Sequence, residues 1–326
     1  MRHRFQYLLA ASLAVAAGFL SGPAASQQWP DRPVTILVPW GAGGAADQLS
    51  RALAPMLEAD LKVPFNVVLR PGGSGAVGHT ALAQARPDGY TWGLATVEIT
   101  MMHWQGLATI SPKDFTPVAI INADAGGLMV RSDSPYKTTR DLLDDIKRKP
   151  PGTLKASGTG QGGIWHLGLV GWMLAEKVDP ARVPWVPSQG AGPAMQDVAA
   201  GGVDFVTASL PEGRAMIDAG KVRALAQMDG KRLALYPNVP TIKEGTGTDY
   251  GILTWRGIVG PAGIPADIQT KMLNAVRKAH QSKEFQDFMA NRGFGVAWME
   301  GAEATAHIQK ADADFGRIMK EAGLIK

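Results

Sequence analysis

The sequence predicts an α/β chain of two lobes, each a mostly parallel sheet flanked by helices. Three observations carry this. Short apolar runs alternate with amphipathic helical stretches through most of the chain, and strands separated by helices of roughly 10–15 residues imply βαβ units with parallel pairing. Three glycine-rich turns each follow a strand and open a helix. About 300 residues remain after an N-terminal leader, enough for two units of roughly 100–200 residues each.

The leader comes first. Arg2 and Arg4 supply a positive segment, the apolar run 7–20 follows, and Ala24 and Ser26 place small residues before a cut at Gln27. This is the pattern of a secretory signal peptide spanning 1–26, and its apolar run is shorter than the ~20 residues a membrane span needs. Export to the periplasm is therefore expected.

Beyond the leader, strands are expected at 34–39, 64–69 and 90–96, with helices at 44–59 and 74–85. A second series has strands at 128–131, 153–157, 183–186, 203–208 and 222–227, and helices at 139–149, 163–177, 193–200 and 212–219. The last third is different: strands 257–260 and 294–298 stand among long helical stretches at 265–281, 283–292 and 302–322. These strands are too few for a sheet of their own, so the segment is expected to return to the first lobe. Lobe 1 is then 27–122 with 229–326, and lobe 2 is 123–228.

Composition excludes several functions. Removing Arg2 and Arg4 lowers the 33 Lys and Arg to 31, against 29 Asp and Glu, and the formal net charge from +4 to +2. No basic run interleaves with aromatics, so nucleic acid is not expected. The chain has no cysteine, which excludes thiol chemistry, Cys-bound metal and disulfides. His79, His103, His166, His280 and His307 lack metal-site spacing, so no metal is expected.

The glycine-rich turns are Trp40-Gly41-Ala42-Gly43-Gly44-Ala45-Ala46-Asp47, Arg70-Pro71-Gly72-Gly73-Ser74-Gly75 and Ser157-Gly158-Thr159-Gly160-Gln161-Gly162-Gly163. Glycine lets the backbone turn sharply and lets a ligand approach peptide N–H groups. Each following helix leaves its first N–H groups unpaired, at the positive end of its dipole, so such a place attracts carboxylate or phosphate. Two of the turns also fit the spacing of a dinucleotide-binding loop. Pro39-Trp40 intervene after the first strand, however, and the second strand ends in Arg70-Pro71 where an acidic residue is wanted. No cofactor is expected. Ser74 misses the nucleophile-elbow pattern by its final residue.

At these turns, and along essentially the whole mature chain, the sequence resembles the periplasmic receptors of tripartite tricarboxylate transporters, the Bug-type binding proteins. The matching segments include Trp29-Pro30-Asp31-Arg32-Pro33, Val38-Pro39-Trp40 with Gly43-Gly44 and Asp47, Arg70-Pro71-Gly72 and Pro87-Asp88-Gly89-Tyr90-Thr91. Later come Asp114-Phe115-Thr116-Pro117-Val118, Gly201-Gly202-Val203-Asp204 and Pro261-Ala262-Gly263-Ile264-Pro265. The resemblance implies a periplasmic binding protein fold of the type II kind. It also implies a monomeric receptor that captures a small dicarboxylate, tricarboxylate or aromatic carboxylate, a membrane permease as partner, and no enzymatic step.

Carried over, the first lobe's contacts would come from Trp40, Gly41, Ala42, Gly43, Gly44 and Asp47, with Ser74, Gly75, Thr96 and Glu98. Ser157, Thr159, Gly160, Ser188, Gln189, Gly190 and Ser209 would face them across the cleft. The chain departs from the family in three places. Ser188-Gln189 stand where Tyr-Lys is frequent, Trp40 stands where Phe is common, and a Gly162-Gly163 stretch precedes His166. The pocket has thereby lost a cation and gained indole surface. Among its loops the sole arginine is Arg70, so neutral donors are expected to hold the carboxylate, with the indole of Trp40 against the solute's carbon skeleton. The alternatives are a secreted hydrolase-like α/β enzyme and a ligand-sensing subunit of a signalling complex.

Overall fold

The computed structural model describes residues 29–321 and residue 325. The expected leader lies outside the described residues, and no described helix is long and apolar enough to cross a membrane. β1 (Val34–Val38), β2 (Phe65–Leu69) and β3 (Thr91–Thr96) pair in parallel through the crossover helices α1 (Ala45–Leu61) and α2 (Ala76–Ala83). β1 has neighbours on both edges and is almost wholly buried, which accounts for its unbroken apolar run.

The chain then enters β4 (Phe115–Arg131), a strand of 17 residues that passes through both sheets. Its first part pairs antiparallel with β8 (Leu253–Pro261) and β9 (Val296–Glu300). From Gly126 onward it pairs instead with β6 (Phe205–Ala208) and β7 (Val222–Met228). A short β5 (Ala156–Ser157) extends that second sheet in parallel. The strand order is β2-β1-β3-β8-β4-β6-β5, with β7 and β9 also on β4.

Helices α3 (Thr139–Arg148), α4 (Ile164–Ala175), α5 (Ala191–Ala200), α6 (Leu210–Asp218) and the short α7 (Ile242–Thr246) belong to the second half. α3 starts on a capping box in which Thr138 and Asp141 satisfy each other's backbone, and Ser209 with Glu212 does the same for α6. The closing helices α8 (Ala266–Gln281), α9 (Lys283–Arg292) and α10 (Gly301–Glu321) return to the first sheet.

Two expected strands are lost or cut short, while β4 and β8 run longer than the expected 128–131 and 257–260. The run 183–186 forms no strand, because Pro184 and Pro187 lack the N–H a ladder needs, and only Trp185 bridges to Ala156. For the same reason the neighbouring strand shrinks to Ala156–Ser157. One apolar cluster packs α1, α8 and α9 on the first sheet, and a second packs α3 and α4 on the other sheet. A third spans both, with Leu37, Val97 and Trp255 from one side and Trp165, Met195 and Leu210 from the other. The halves therefore share buried surface.

Candidate functional site

The cleft forms where the glycine-rich turns of the two halves meet, and in this structure it is closed. Gly41 N–H donates to the Gln189 carbonyl at 2.6 Å. A Cβ at Gly192 would lie 2.4 Å from the Ala42 carbonyl oxygen, and one at Gly160 would lie 2.7 Å from the Ser74 Cα. Only glycine permits so close an approach of two backbones. Ser74 donates its hydroxyl to the Gln161 carbonyl and Gln105 donates to that of Gly162, so both bridge the cleft. Ser74 holds φ 55° and ψ 38°, a left-handed conformation that costs a non-glycine residue about 1–3 kcal/mol.

Two spaces remain inside, and Trp40 borders both. The larger is a cavity of about 610 Å³ lined by Trp40, Gly72, Gly73, Ser74, Gln105 and Leu107 from one side. Gly160, Gln161, Gly162, His166, Leu167, Pro187, Ser188 and Gln189 complete it. No Lys, Arg, Asp or Glu is among these residues. His166 accepts from the Gly162 N–H at its Nδ1, 3.0 Å away, so the neutral ring carries its proton on Nε2. Burial lowers the pKa of His166 to about 4, which keeps it a neutral donor near pH 7.

The smaller space, about 20 Å³, is bordered by Trp40, Gly44, Ala45, Ala46, Thr96, Glu98, Thr159, Ile164, Trp165, Ala191, Glu212, Thr254 and Arg256. Charge is concentrated beside it. Arg256 pairs with Asp124 at 2.7 Å and with Glu212 at 3.2 Å, and donates to the Asn122 amide oxygen at 2.6 Å. Glu98 accepts from Ile164 N–H at 3.0 Å and from the Thr96 hydroxyl. Thr96 in turn accepts from Trp40 Nε1 at 3.2 Å. Burial pushes the Glu98 carboxyl above its ordinary range, opposed by the bonds from Thr96 and Ile164. Burial also raises that of Asp124, opposed by the Arg256 guanidinium. His79 braces the region from α2: its Nε2 accepts from Thr96 N–H while Nδ1 meets the Gly75 carbonyl. Burial lowers its pKa to about 4.

Of the residues expected at the site, Trp40, Ser74, Gly160, Ser188 and Gln189 line the larger cavity. Gly44, Thr96, Glu98 and Thr159, with Trp40 again, border the smaller one. The others support the walls. Asp47 accepts from Gly43 N–H at 2.9 Å and pairs with Arg51, so both are engaged within their own turn, as Gly41 is engaged across the cleft. Gly190 lies against the Trp40 Cβ, Gly75 against its ring, and the Ala42 carbonyl against Gly192. Ser157 donates to the Val186 carbonyl and Ser209 to Glu212.

Arg70 caps the end of β2 through its backbone and is exposed. The arginine brought to the cleft is Arg256, which sequence reasoning passed over together with Glu212, Asp124, Gln105 and His166. Its signal was present: a lone charge in the apolar strand Leu253–Pro261. No group of three or more His, Asp or Glu side chains among the described residues is arranged to hold a metal ion.

Two α/β halves sharing a central strand and closing on a cavity lined by neutral donors define a solute-binding architecture. Residues 49–324 match the model of the tripartite tricarboxylate transporter family receptor, and the chain belongs to this family. The structure of the periplasmic binding protein BugD is 25% identical, covers 91% of this chain and 100% of its own, and superposes with a TM-score of 0.85. A Rhodopseudomonas palustris protein solved with adipate, Rpa4515, is 26% identical over 90% of this chain and 98% of its own, with a TM-score of 0.84. MatC of the same organism, solved with bound malate, is 26% identical over 90% of this chain and 100% of its own, with a TM-score of 0.81. The two-lobed α/β class expected from the sequence is thus the one found, with parallel pairing in β1 to β3 and between β5 and β6, while β4 joins β6, β7, β8 and β9 antiparallel.

Proposed function

We propose that the chain is a periplasmic receptor that captures a small organic carboxylate in the 610 Å³ cavity and delivers it to a membrane permease, without chemical change. The observation that carries this reading is the cavity itself. It lies between two halves in contact along backbone, and apolar surface from Trp40, Leu107, Leu167 and Pro187 is joined there by a few neutral donors. Such a mixture is what holds a small ligand. The Gln189 amide and the His166 Nε2 are the donors offered, since the Ser188 hydroxyl donates to the Gly190 carbonyl and Gln105 to that of Gly162, and a carboxylate bonded to desolvated N–H groups gains charge-assisted hydrogen bonds without a formal cation. Carboxylates bound to two relatives of this fold support the ligand class.

The same reading takes 1–26 as a cleaved leader and divides the mature chain into lobe 1, expected at 27–122 with 229–326, and lobe 2, expected at 123–228, but α7 (Ile242–Thr246) goes with lobe 2, because Ile242 packs among Leu142, Leu225 and Met228. The change of partners along β4, from β8 to β6 and β7, supports that division. A thermal-shift screen of organic acids tests the function. A true ligand at 100 times its dissociation constant raises stability by about 2.7 kcal/mol and is recovered unaltered afterwards. Recovery of a converted product would identify an enzyme instead.

A further inference from the structure

Helices α1 and α4 both start at the cleft, on Gly44 and Gly163. Glycine has no side chain to cap them, so their first N–H groups need partners from elsewhere. Those partners are carboxylates of the opposite half. Ala45 N–H donates to Glu212 Oε1 at 3.2 Å, and Ile164 N–H donates to Glu98 Oε1 at 3.0 Å. Both carboxylates are otherwise satisfied. Glu212 also receives Ser209 N–H, the Ser209 hydroxyl and Arg256 Nη2, while Glu98 receives Thr96.

We propose that Glu98 and Glu212 are built-in carboxylates occupying, each from the opposite half, two of the helix N-termini at the cleft, those of α1 and α4, and that they restrict the receptor to solutes bearing a single carboxylate. The proposal rests on the carboxylate-receptor reading and names its substrate class. Three features support it. The 20 Å³ space between these groups has room for about one water, so a solute carboxylate cannot enter it. The neighbouring cation, Arg256, is committed to Asp124, Glu212 and Asn122. Two carboxylates paired with that guanidinium, Asp124 and Glu212, and a third, Glu98, bordering the same space also disfavour any further anion approaching that end. The solute is thereby confined to the outer cavity. One carboxylate can meet the neutral donors there, while a second, directed inward, would meet the Trp40 indole with Glu98 behind it.

The test has two arms, both on the full mature chain. In the first, Glu98→Ala should lower Tm, and formate should restore it where chloride at equal ionic strength does not; wild type should be indifferent. In the second, calorimetric titration compares hexanoate with adipate and benzoate with terephthalate, pairs that differ by one carboxylate. Wild type should bind the monoacid of the better pair at least about tenfold more tightly, a difference of about 1.4 kcal/mol. Glu98→Gln, which keeps the shape and loses the charge, should narrow that ratio. Formate no better than chloride, or a diacid bound more tightly than its monoacid by wild type, overturns the proposal. If formate rescues Glu98→Ala while neither pair binds at all, the built-in carboxylate stands and the carboxylate-receptor reading fails with its substrate class.

Discussion

The two spaces on either side of Trp40 are made by the same turns and have opposite chemistry. The outer one is large, about 610 Å³, and lined by no charged side chain. The inner one holds about a water and is bordered by Glu98, Glu212 and Arg256, with Asp124 behind. A helix N-terminus attracts anions in both settings, but in the inner space the protein supplies the anion itself. The difference teaches that an exposed glycine turn advertises a possible site, and that only the arrival of distant side chains decides whether the site is vacant for a ligand.

The largest expected effect comes from breaking the inner region. Arg256→Leu leaves Asp124 and Glu212 buried and without their cation, and removing one partner of a buried pair costs about 3–5 kcal/mol. Chemical denaturation should show a loss of that size, and a loss under ~1 kcal/mol would mean that water reaches the cluster. The comparison is sharpened next by Gly160→Ala in the outer wall. Its Cβ would lie 2.7 Å from the Ser74 Cα, so the halves cannot close to the present spacing. Solute affinity should fall at least about tenfold, or about 1.4 kcal/mol, while the variant keeps its fold by circular dichroism. Unchanged affinity would place the solute outside this cavity.

The smallest effect expected is on pH dependence. His79, behind the inner space, and His166, in the wall of the outer one, are both lowered to about 4 by burial, against about 6.5 in the unfolded chain. The unfolded state therefore binds more protons between these values. Their contribution is present above about pH 6.5 and lost as pH falls towards 4. Glu98 and Asp124, raised by burial, act in the opposite sense and moderate the loss. A melting series should show Tm falling across that window, and His166→Gln should fall less; identical slopes would mean that His166 is protonated without cost in the folded protein.

Much of this was legible in the sequence, and the reasons differ by region. The βαβ series from β1 to β3 was read nearly to the residue because apolar strands, glycine turns and amphipathic helices agree there. β4 was read only over its last four residues, since Pro117 and Gly126-Gly127 look like breakers. Gly127 instead leaves room for Leu210 and the Ala226 carbonyl, where a Cβ would lie 2.8 and 3.0 Å from them. The outer wall was half legible: its turns were marked by glycine, but Gln105 and His166 sit on segments with no local signal. Glu212 was invisible as a cleft residue because Ser209-x-x-Glu212 reads as a helix start, which it also is. Trp40 was expected to lean on the solute's carbon skeleton. At 6% exposure, with its N–H bound to Thr96, it is part of the core as well.

β4 has one further consequence. It contributes hydrogen bonds to β8 and β9 along its first part and to β6 and β7 along its last. Neither half of the molecule can lose its sheet without stripping bonds from the strand that the other half depends on. Thermal unfolding is thereby coupled across the cleft. The protein should melt as a single calorimetric unit, its van't Hoff enthalpy equal to the measured one, although it is built as two halves with a sheet each.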